Sequence, residues 1–167
     1  TVLSSLRYHT VPPVPTSPLV QARITIGNGG DSDTPIVVTL DNDVTVGNTL
    51  AVWAFWGGPD SHLSSISDNL GNTYTLVRRE TPAGGATDAH VMWYADITTG
   101  GASTITIMLS RAYAYRSMLV HEVAGRHATA PVDASSFNFQ QTPTTAADNI
   151  TSGADTTTVD GCYIFGV

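Results

Sequence analysis

The fold is decided by the stretch Thr49-Leu50-Ala51-Val52-Trp53-Ala54-Phe55-Trp56, which is apolar at both odd and even positions. Because successive side chains of a strand point to opposite faces of a sheet, this pattern predicts a central strand that is covered on both sides. A second stretch, Ser103–Ser110, is apolar only at alternate positions, with Ile105, Ile107 and Leu109 on one face and threonines opposite. It predicts a strand with one face in water.

Similar stretches recur along the chain, separated by turn sequences such as Gly27-Asn28-Gly29-Gly30 and Asp41-Asn42-Asp43. Their spacing, about 8 to 15 residues, is typical of a sandwich or barrel, and such short connections favour antiparallel pairing. The predicted strands are Leu19–Ile26, Pro35–Leu40, Thr49–Trp56, Ser64–Asp68, Thr73–Glu80, His90–Ile97, Ser103–Ser110, Arg116–Ala124, Ser135–Gln140, Asn149–Ser152 and Cys162–Val167. We expect an all-β, antiparallel β-sandwich of jelly-roll or immunoglobulin-like kind over residues 18–167.

The charge of the chain limits the classes of partner that we expect. It has 7 Arg and no Lys against 14 Asp and Glu, a net charge of −7. Nucleic acid is not an expected partner, because phosphate binding needs clustered basic side chains. No apolar run is long enough for a transmembrane helix, so we expect no membrane insertion. The low charged fraction, 13%, and the many threonines favour an extracellular, cell-surface or virion-surface location.

Both ends of the chain suggest contacts with other subunits. Residues 1–17 contain closely spaced prolines, which remove backbone donors and favour an extended arm or linker. The stretch Cys162–Val167 is predicted to be an apolar edge strand, and such an edge invites pairing with another chain. We therefore expect that the sandwich lacks its last strands within this chain. The expected subunit-contact residues are Pro12, Pro13, Pro15, Ile164 and Phe165.

Several motifs together carry a family resemblance. They are Leu19–Gln21, Val46–Trp53, Ser67-Asp68-Asn69-Leu70-Gly71-Asn72-Thr73-Tyr74, Met92–Ala95, His121–Gly125 and Ala130–Asp133. In this order they resemble a β-sandwich domain that is repeated in large secreted bacterial surface proteins, over about residues 18–167. The motifs are turn and core signatures, so the resemblance implies the fold and an adhesive, carbohydrate-binding or spacer role rather than an activity. The arm of residues 1–17 has no counterpart in that family.

Catalytic motifs are missing from the sequence. There is no Gly-x-Ser-x-Gly, and the lone Cys162 lies in an apolar run where a thiol is normally inert. With only Glu80 and Glu122 as glutamates, nothing selects a carboxylate pair. His121 and Glu122 are adjacent in a predicted strand, so they point to opposite faces and cannot act together. We expect no enzyme and no required cofactor.

Calcium is the metal that the turns could hold. Asp31 and Asp33 follow a glycine-rich turn, and Asp41 and Asp43 flank a second one. Ca²⁺ accepts carboxylate and carbonyl ligands in flexible geometry. Aspartates are also common in turns without any metal, because their side chains accept hydrogen bonds from the nearby backbone. Neither loop matches an EF-hand.

Aromatic residues suggest a sugar platform. Small-molecule binding sites usually combine flat aromatic rings with a few nearby polar groups. We expect Trp93 and one of Trp53 or Trp56 in the core. The exposed candidates are Trp56, beside Gly57-Gly58, and Tyr113 and Tyr115 in a predicted loop.

The sequence thus favours a non-catalytic structural or adhesion module of an extracellular or virion surface assembly. It would associate with itself or with neighbouring subunits through its arm or through strand exchange. The alternative is a carbohydrate-binding module of a secreted multidomain protein, with polysaccharide as its ligand.

Overall fold

The computed structural model describes residues 18–27, 35–80, 88–113, 115–125, 132–133, 156, 158, 163 and 165. Within them lie eight strands and one short 3₁₀ turn, Asp60–His62. The strands are β1 (Leu19–Gly27), β2 (Ile36–Thr39), β3 (Thr49–Trp56), β4 (Leu63–Asp68), β5 (Tyr74–Glu80), β6 (Ala89–Asp96), β7 (Thr104–Leu109) and β8 (Arg116–Val123). Eight predicted strands are therefore confirmed, each end within one residue of its predicted position.

The strands form two antiparallel sheets. The large sheet has the order β1-β8-β3-β6-β5, and the small sheet has the order β2-β7-β4. Strand β1 pairs with β8, β2 with β7 and β3 with β6, as in a long hairpin that is wrapped across both sheets. This is the jelly-roll arrangement. In an immunoglobulin-like sandwich β1 and β2 would share a sheet, whereas here they lie in different sheets.

One strand departs from a regular jelly roll. Strand β5 pairs with β6 at the edge of the large sheet and does not extend the small sheet beside β4. The large sheet therefore has five strands and the small one three. The result is a sandwich in which part of the large sheet extends beyond its partner.

The core lies between the two sheets. Alternate residues of β3 face it and are buried: Leu50, Val52, Ala54 and Trp56. The small sheet contributes residues such as Ile105 and Ile107 from β7, which confirms the predicted alternation of that strand. Ala51, Trp53 and Phe55 of β3 are only partly buried and lie on the opposite face of the large sheet. Trp93 is buried too, so the core takes Trp93 and Trp56 and leaves Trp53 outside.

The resemblance motif Ser67–Tyr74 closes the turn between β4 and β5. Asp68 Oδ1 accepts hydrogen bonds from the backbone N–H groups of Leu70 (2.9 Å) and Asn72 (3.0 Å). Its Oδ2 accepts from Asn72 Nδ2 at 2.9 Å and from the Tyr74 hydroxyl at 3.0 Å. Burial and the charge of Asp68 raise the pKa of Tyr74, so its hydroxyl stays a donor. These motif residues therefore stabilise a turn.

Several predicted features fall outside the described residues: the arm of residues 1–17 with Pro12, Pro13 and Pro15, the strands Ser135–Gln140 and Asn149–Ser152, and Ile164. In the last predicted strand, Tyr163 and Phe165 are described, and neither belongs to a β-strand. These two positions therefore differ from the prediction, and both side chains contact His121 of the large sheet. Among the described residues, no helix is long and apolar enough to cross a membrane.

Candidate assembly and binding surface

The large sheet has a second apolar side, facing away from the core. Three rows of paired residues cross its strands β1, β8, β3 and β6 on this side. We call them together the outer surface: Ala22, His121, Ala51 and Tyr94; Ile24, Leu119, Trp53 and Met92; and Ile26, Ser117, Phe55 and His90. It contains no Asp, Glu, Lys or Arg. An uncharged and largely apolar sheet face outside the core of the described residues is typical of a contact site.

Strand β1 forms one margin of the outer surface. Val20, Ile24 and Ile26 are 50%, 52% and 63% exposed there. Among the described strands β1 pairs only with β8, so the backbone groups on its other side have no strand partner. Within the described strands, both the backbone and the side chains of β1 therefore have a side to which a strand could be added.

The other edge strands are all shorter than β1, and two of them are more polar. Strand β5 carries Arg78, Arg79 and Glu80, with an Arg78–Glu80 ion pair at 2.7 Å. Strand β2 has only 4 residues and β4 is rich in serine, whereas β1 has 9 residues. Charge and short length are devices that keep sheet edges from pairing. The single charged residue of β1, Arg23, lies 3.5 Å from Asp41 and belongs to the inward row of the strand.

An aromatic group occupies the middle of the outer surface. The rings of Trp53 and Phe55 have centroids 6.3 Å apart and an interplanar angle of 14°. His90 lies 5.1 Å from the Phe55 ring and 5.8 Å from the Trp53 ring. Burial lowers the pKa of His90, although the charge of Asp88 acts in the opposite direction. The sequence did not single out this group, because a strand that is apolar on both faces does not show which tryptophan faces outward.

His121 lies at the other end of the outer surface and meets the last part of the chain. Its Nδ1 is 2.7 Å from the Tyr163 hydroxyl, and the Phe165 ring lies 4.8 Å away at 70°. Burial lowers the pKa of His121 and raises that of Tyr163. Phe165, predicted to touch a neighbouring subunit, contacts its own chain here.

Glu122 lies on the opposite face from its neighbour His121, as predicted. Its carboxylate is fully buried and accepts hydrogen bonds from Gln21 Nε2 (2.6 Å), Thr45 N (2.9 Å) and Asn48 Nδ2 (2.7 Å). These partners tie β1 and the β2–β3 connection to β8. The carboxylate therefore has a structural role, and His121 and Glu122 form no acid–base pair.

The predicted sugar-binding residues lie near one end of the sandwich, but they do not form one platform. Trp56 is buried and its Nε1 donates to the Pro59 carbonyl at 3.1 Å. The prediction of an exposed Trp56 is wrong, because even-numbered positions of β3 face the core. Tyr113 is half-buried, stacks on His62 with ring centroids 5.7 Å apart, and places its hydroxyl against His62 Nδ1. Tyr115 alone of the three is open, with 69% exposure.

Two of the predicted calcium ligands are described. Asp41 is exposed and lies beside Arg23, and Asp43 is exposed as well. Asp31 and Asp33 lie outside the described residues. In the part of the chain that the structure describes, no group of three or more His, Cys, Asp or Glu side chains could hold a metal ion. Calcium binding stays a prediction.

No protein-family model, curated protein or solved structure matches the chain. The resemblance to the repeated secreted domain therefore stays a prediction from its motifs. The proposal below therefore rests on the surfaces of the chain itself.

Proposed function

We propose that this chain is a non-catalytic structural and adhesion module of an extracellular or virion surface assembly. In this proposal neighbouring subunits join by strand addition along β1. The observation that carries it is the open edge of β1, where Val20, Ile24 and Ile26 are exposed and one side of the backbone has no described strand partner.

Strand addition suits this edge for two reasons. The backbone of an added strand would satisfy donors and acceptors along β1, and its side chains would cover the exposed valine and isoleucines. Burying a large aliphatic side chain contributes about 1.5–3 kcal/mol relative to leaving it in water. The jelly-roll architecture supports the assignment more broadly, because capsid and lectin domains use it.

The test compares charged variants at two sheet edges. In Ile24→Lys/Ile26→Lys, two exposed positions of β1 gain cations that repel an incoming strand. Val37→Lys is the matched control, since Val37 is an exposed residue of the edge strand β2. We expect light scattering to show oligomers for the natural chain and the control, and monomers for the β1 variant. A monomeric natural chain, or equal loss in the control, would contradict the proposal.

A second candidate, carbohydrate binding, is favoured by the aromatic group on the outer surface. Near-parallel Trp53 and Phe55 rings offer an apolar platform for a sugar ring, and the Arg78–Glu80 pair on neighbouring β5 supplies polar groups at its margin. Retention on insoluble polysaccharides should fall in Trp53→Ala and persist in Leu76→Ala, a control at an exposed residue of β5. Retention that survives Trp53→Ala together with Tyr115→Ala would eliminate this candidate.

A further inference from the structure

We propose that the strand added to β1 is β1 of a second copy, lying antiparallel to the first across a two-fold axis at Ile24. The pairing rests on the proposed function, in which subunits join along β1, and adds the identity of the partner strand and its register. Every residue that would form it, from Gln21 to Gly27, lies within the described part of β1.

Among the edge strands that the structure describes, a second β1 is the best match for β1. Ile24 and Ile26 point to one face of the sheet and are both more than half exposed. Strand β5 would bring Arg78, Arg79 and Glu80 against these isoleucines, β4 would bring serines, and β2 has only 4 residues. A second β1 offers the same aliphatic side chains. Antiparallel self-pairing also closes into a two-fold dimer, the commonest symmetry of soluble oligomers.

The register follows from the faces to which the residues point. A two-fold axis perpendicular to the sheet keeps each face on its own side, so even-numbered residues of β1 oppose even-numbered ones. With the axis at Ile24, the overlap covers Gln21–Gly27 of both copies, where β1 has no bulge. Ile24 then opposes its own copy, and Ile26 opposes Ala22 of the second copy. Each large side chain at the margins therefore lies beside a small one.

Arg23 decides between the neighbouring registers. An axis at Arg23 would place two guanidinium groups directly opposite each other, and like charges in that position destabilise a strand pair. An axis at Thr25 would leave only residues 23–27 of β1 in the overlap. With the axis at Ile24, Arg23 opposes Thr25 of the second copy, and the two arginines lie on a diagonal, about 7–8 Å apart. Each arginine can keep the carboxylate of its own Asp41, 3.5 Å away.

The pairing would join the two five-stranded sheets into one sheet of ten strands. The row of the outer surface that begins at Ala22 would continue, across the axis, in the row that begins at Ile26 of the second copy. The outer surfaces of both copies contain no charged residue. They would therefore form one uncharged face on the same side of the dimer.

Single cysteines on β1 test the axis directly. Cys162 is the only cysteine of the chain, so a Cys162→Ser background carries none. Facing residues of antiparallel strands have Cα atoms about 4.5–5.5 Å apart, which suits a disulfide. We expect Ile24→Cys to form a covalent dimer on mild oxidation, seen on non-reducing gels. Ala22→Cys and Ile26→Cys should not link to themselves, but a mixture of the two, one enlarged by a tag, should give the heterodimer.

The control and the opposite results use the same gels. Val37→Cys, at an exposed position of the edge strand β2, should show only the linking caused by random collision. A heterodimer of Ile24→Cys with either of the other two β1 variants would move the axis, and self-linking of all three would indicate parallel pairing. Either result overturns the register.

The failure of this pairing can be told apart from the failure of the proposed function. Oligomers that Ile24→Lys/Ile26→Lys dissolves, but that give no link between two β1 strands, would overturn the pairing and leave strand addition along β1 standing. A natural chain that is monomeric in light scattering would overturn both.

Discussion

Asn48 Nδ2 donates a 2.7 Å hydrogen bond to Glu122 Oε1, and so fixes the turn before β3 to a fully buried carboxylate of β8. The same oxygen accepts from Thr45 N at 2.9 Å, and the other oxygen accepts from Gln21. A buried carboxylate is tolerated only when its acceptor sites are filled. Glu122 is therefore the polar junction between β1, β8 and the β2–β3 connection.

Glu122→Ala should be one of the more destabilising changes in the sandwich. It leaves three donors around an empty volume, and each unsatisfied buried group costs about 1–3 kcal/mol. We expect the free energy of unfolding from urea titration to fall by at least about 3 kcal/mol. Glu80→Ala is the matched control, since its ion pair lies near the surface and should contribute under about 1 kcal/mol. Equal effects would show that the buried network contributes little.

Asn72→Ala should loosen the contact between two turns. Asn72 Oδ1 accepts from the backbone N–H groups of Thr98 (2.9 Å) and Thr99 (3.1 Å), and its Nδ2 donates to Asp68. Losing these bonds should cost about 2 kcal/mol in the free energy of unfolding, measured by urea titration. Asn42→Ala is the control, because Asn42 bonds to Gln21 through its backbone only. An unchanged urea midpoint in Asn72→Ala would contradict the turn's structural role.

Features that depend on neighbouring residues could be predicted from the sequence, whereas features that depend on residues far apart in the chain could not. Strand positions followed from alternation and turn residues, as in Thr104–Leu109, where Ile105 and Ile107 are buried as expected. The sequence did not show which of Trp53 and Trp56 is buried, because both faces of β3 are apolar. Only the position of the small sheet decides which face belongs to the core. Glu122 was missed for a related reason: its three donors come from residues 74 to 101 positions away.

The pairing of β5 was also beyond local patterns. Its sequence, Tyr74–Glu80, predicts a strand but not which sheet it joins. Strand β5 joins the large sheet through its pairing with β6, which has a bulge between Leu76 and Arg78. This pairing is between residues far apart enough in the chain that no local pattern predicts it. The aromatic and apolar outer surface likewise emerges only when four strands are placed side by side.

Gly58→Ala should displace the Tyr113 ring. A methyl group at Gly58 would overlap that ring, while the nearest atoms to one at Gly57 are 3.8 Å away. Forcing an extra methyl into a filled space costs about 1–3 kcal/mol. We expect Gly58→Ala to lower the free energy of unfolding by that amount in urea titration, and Gly57→Ala to have a smaller effect. Similar losses in both variants would show that the Tyr113 packing is not what limits position 58.

The stability of the sandwich should fall as the pH drops below neutrality, because burial lowers the pKa of His90 and of His121. In the unfolded chain a histidine takes up a proton near pH 6.5, while the folded chain resists protonation until the pH is lower. Below about pH 6.5 the unfolded state therefore binds more protons, which favours unfolding; above it the effect disappears.

His90→Gln removes one of these groups from its place beside Trp53 and Phe55 and opposite Glu80. Carboxylates of the chain titrate in both proteins, so their contribution cancels in the comparison. We expect the urea midpoint of the natural chain to fall more between pH 7 and pH 5.5 than that of the variant. Equal falls would mean that His90 is protonated as easily in the folded chain as in the unfolded one, and that the outer surface does not shield it from water.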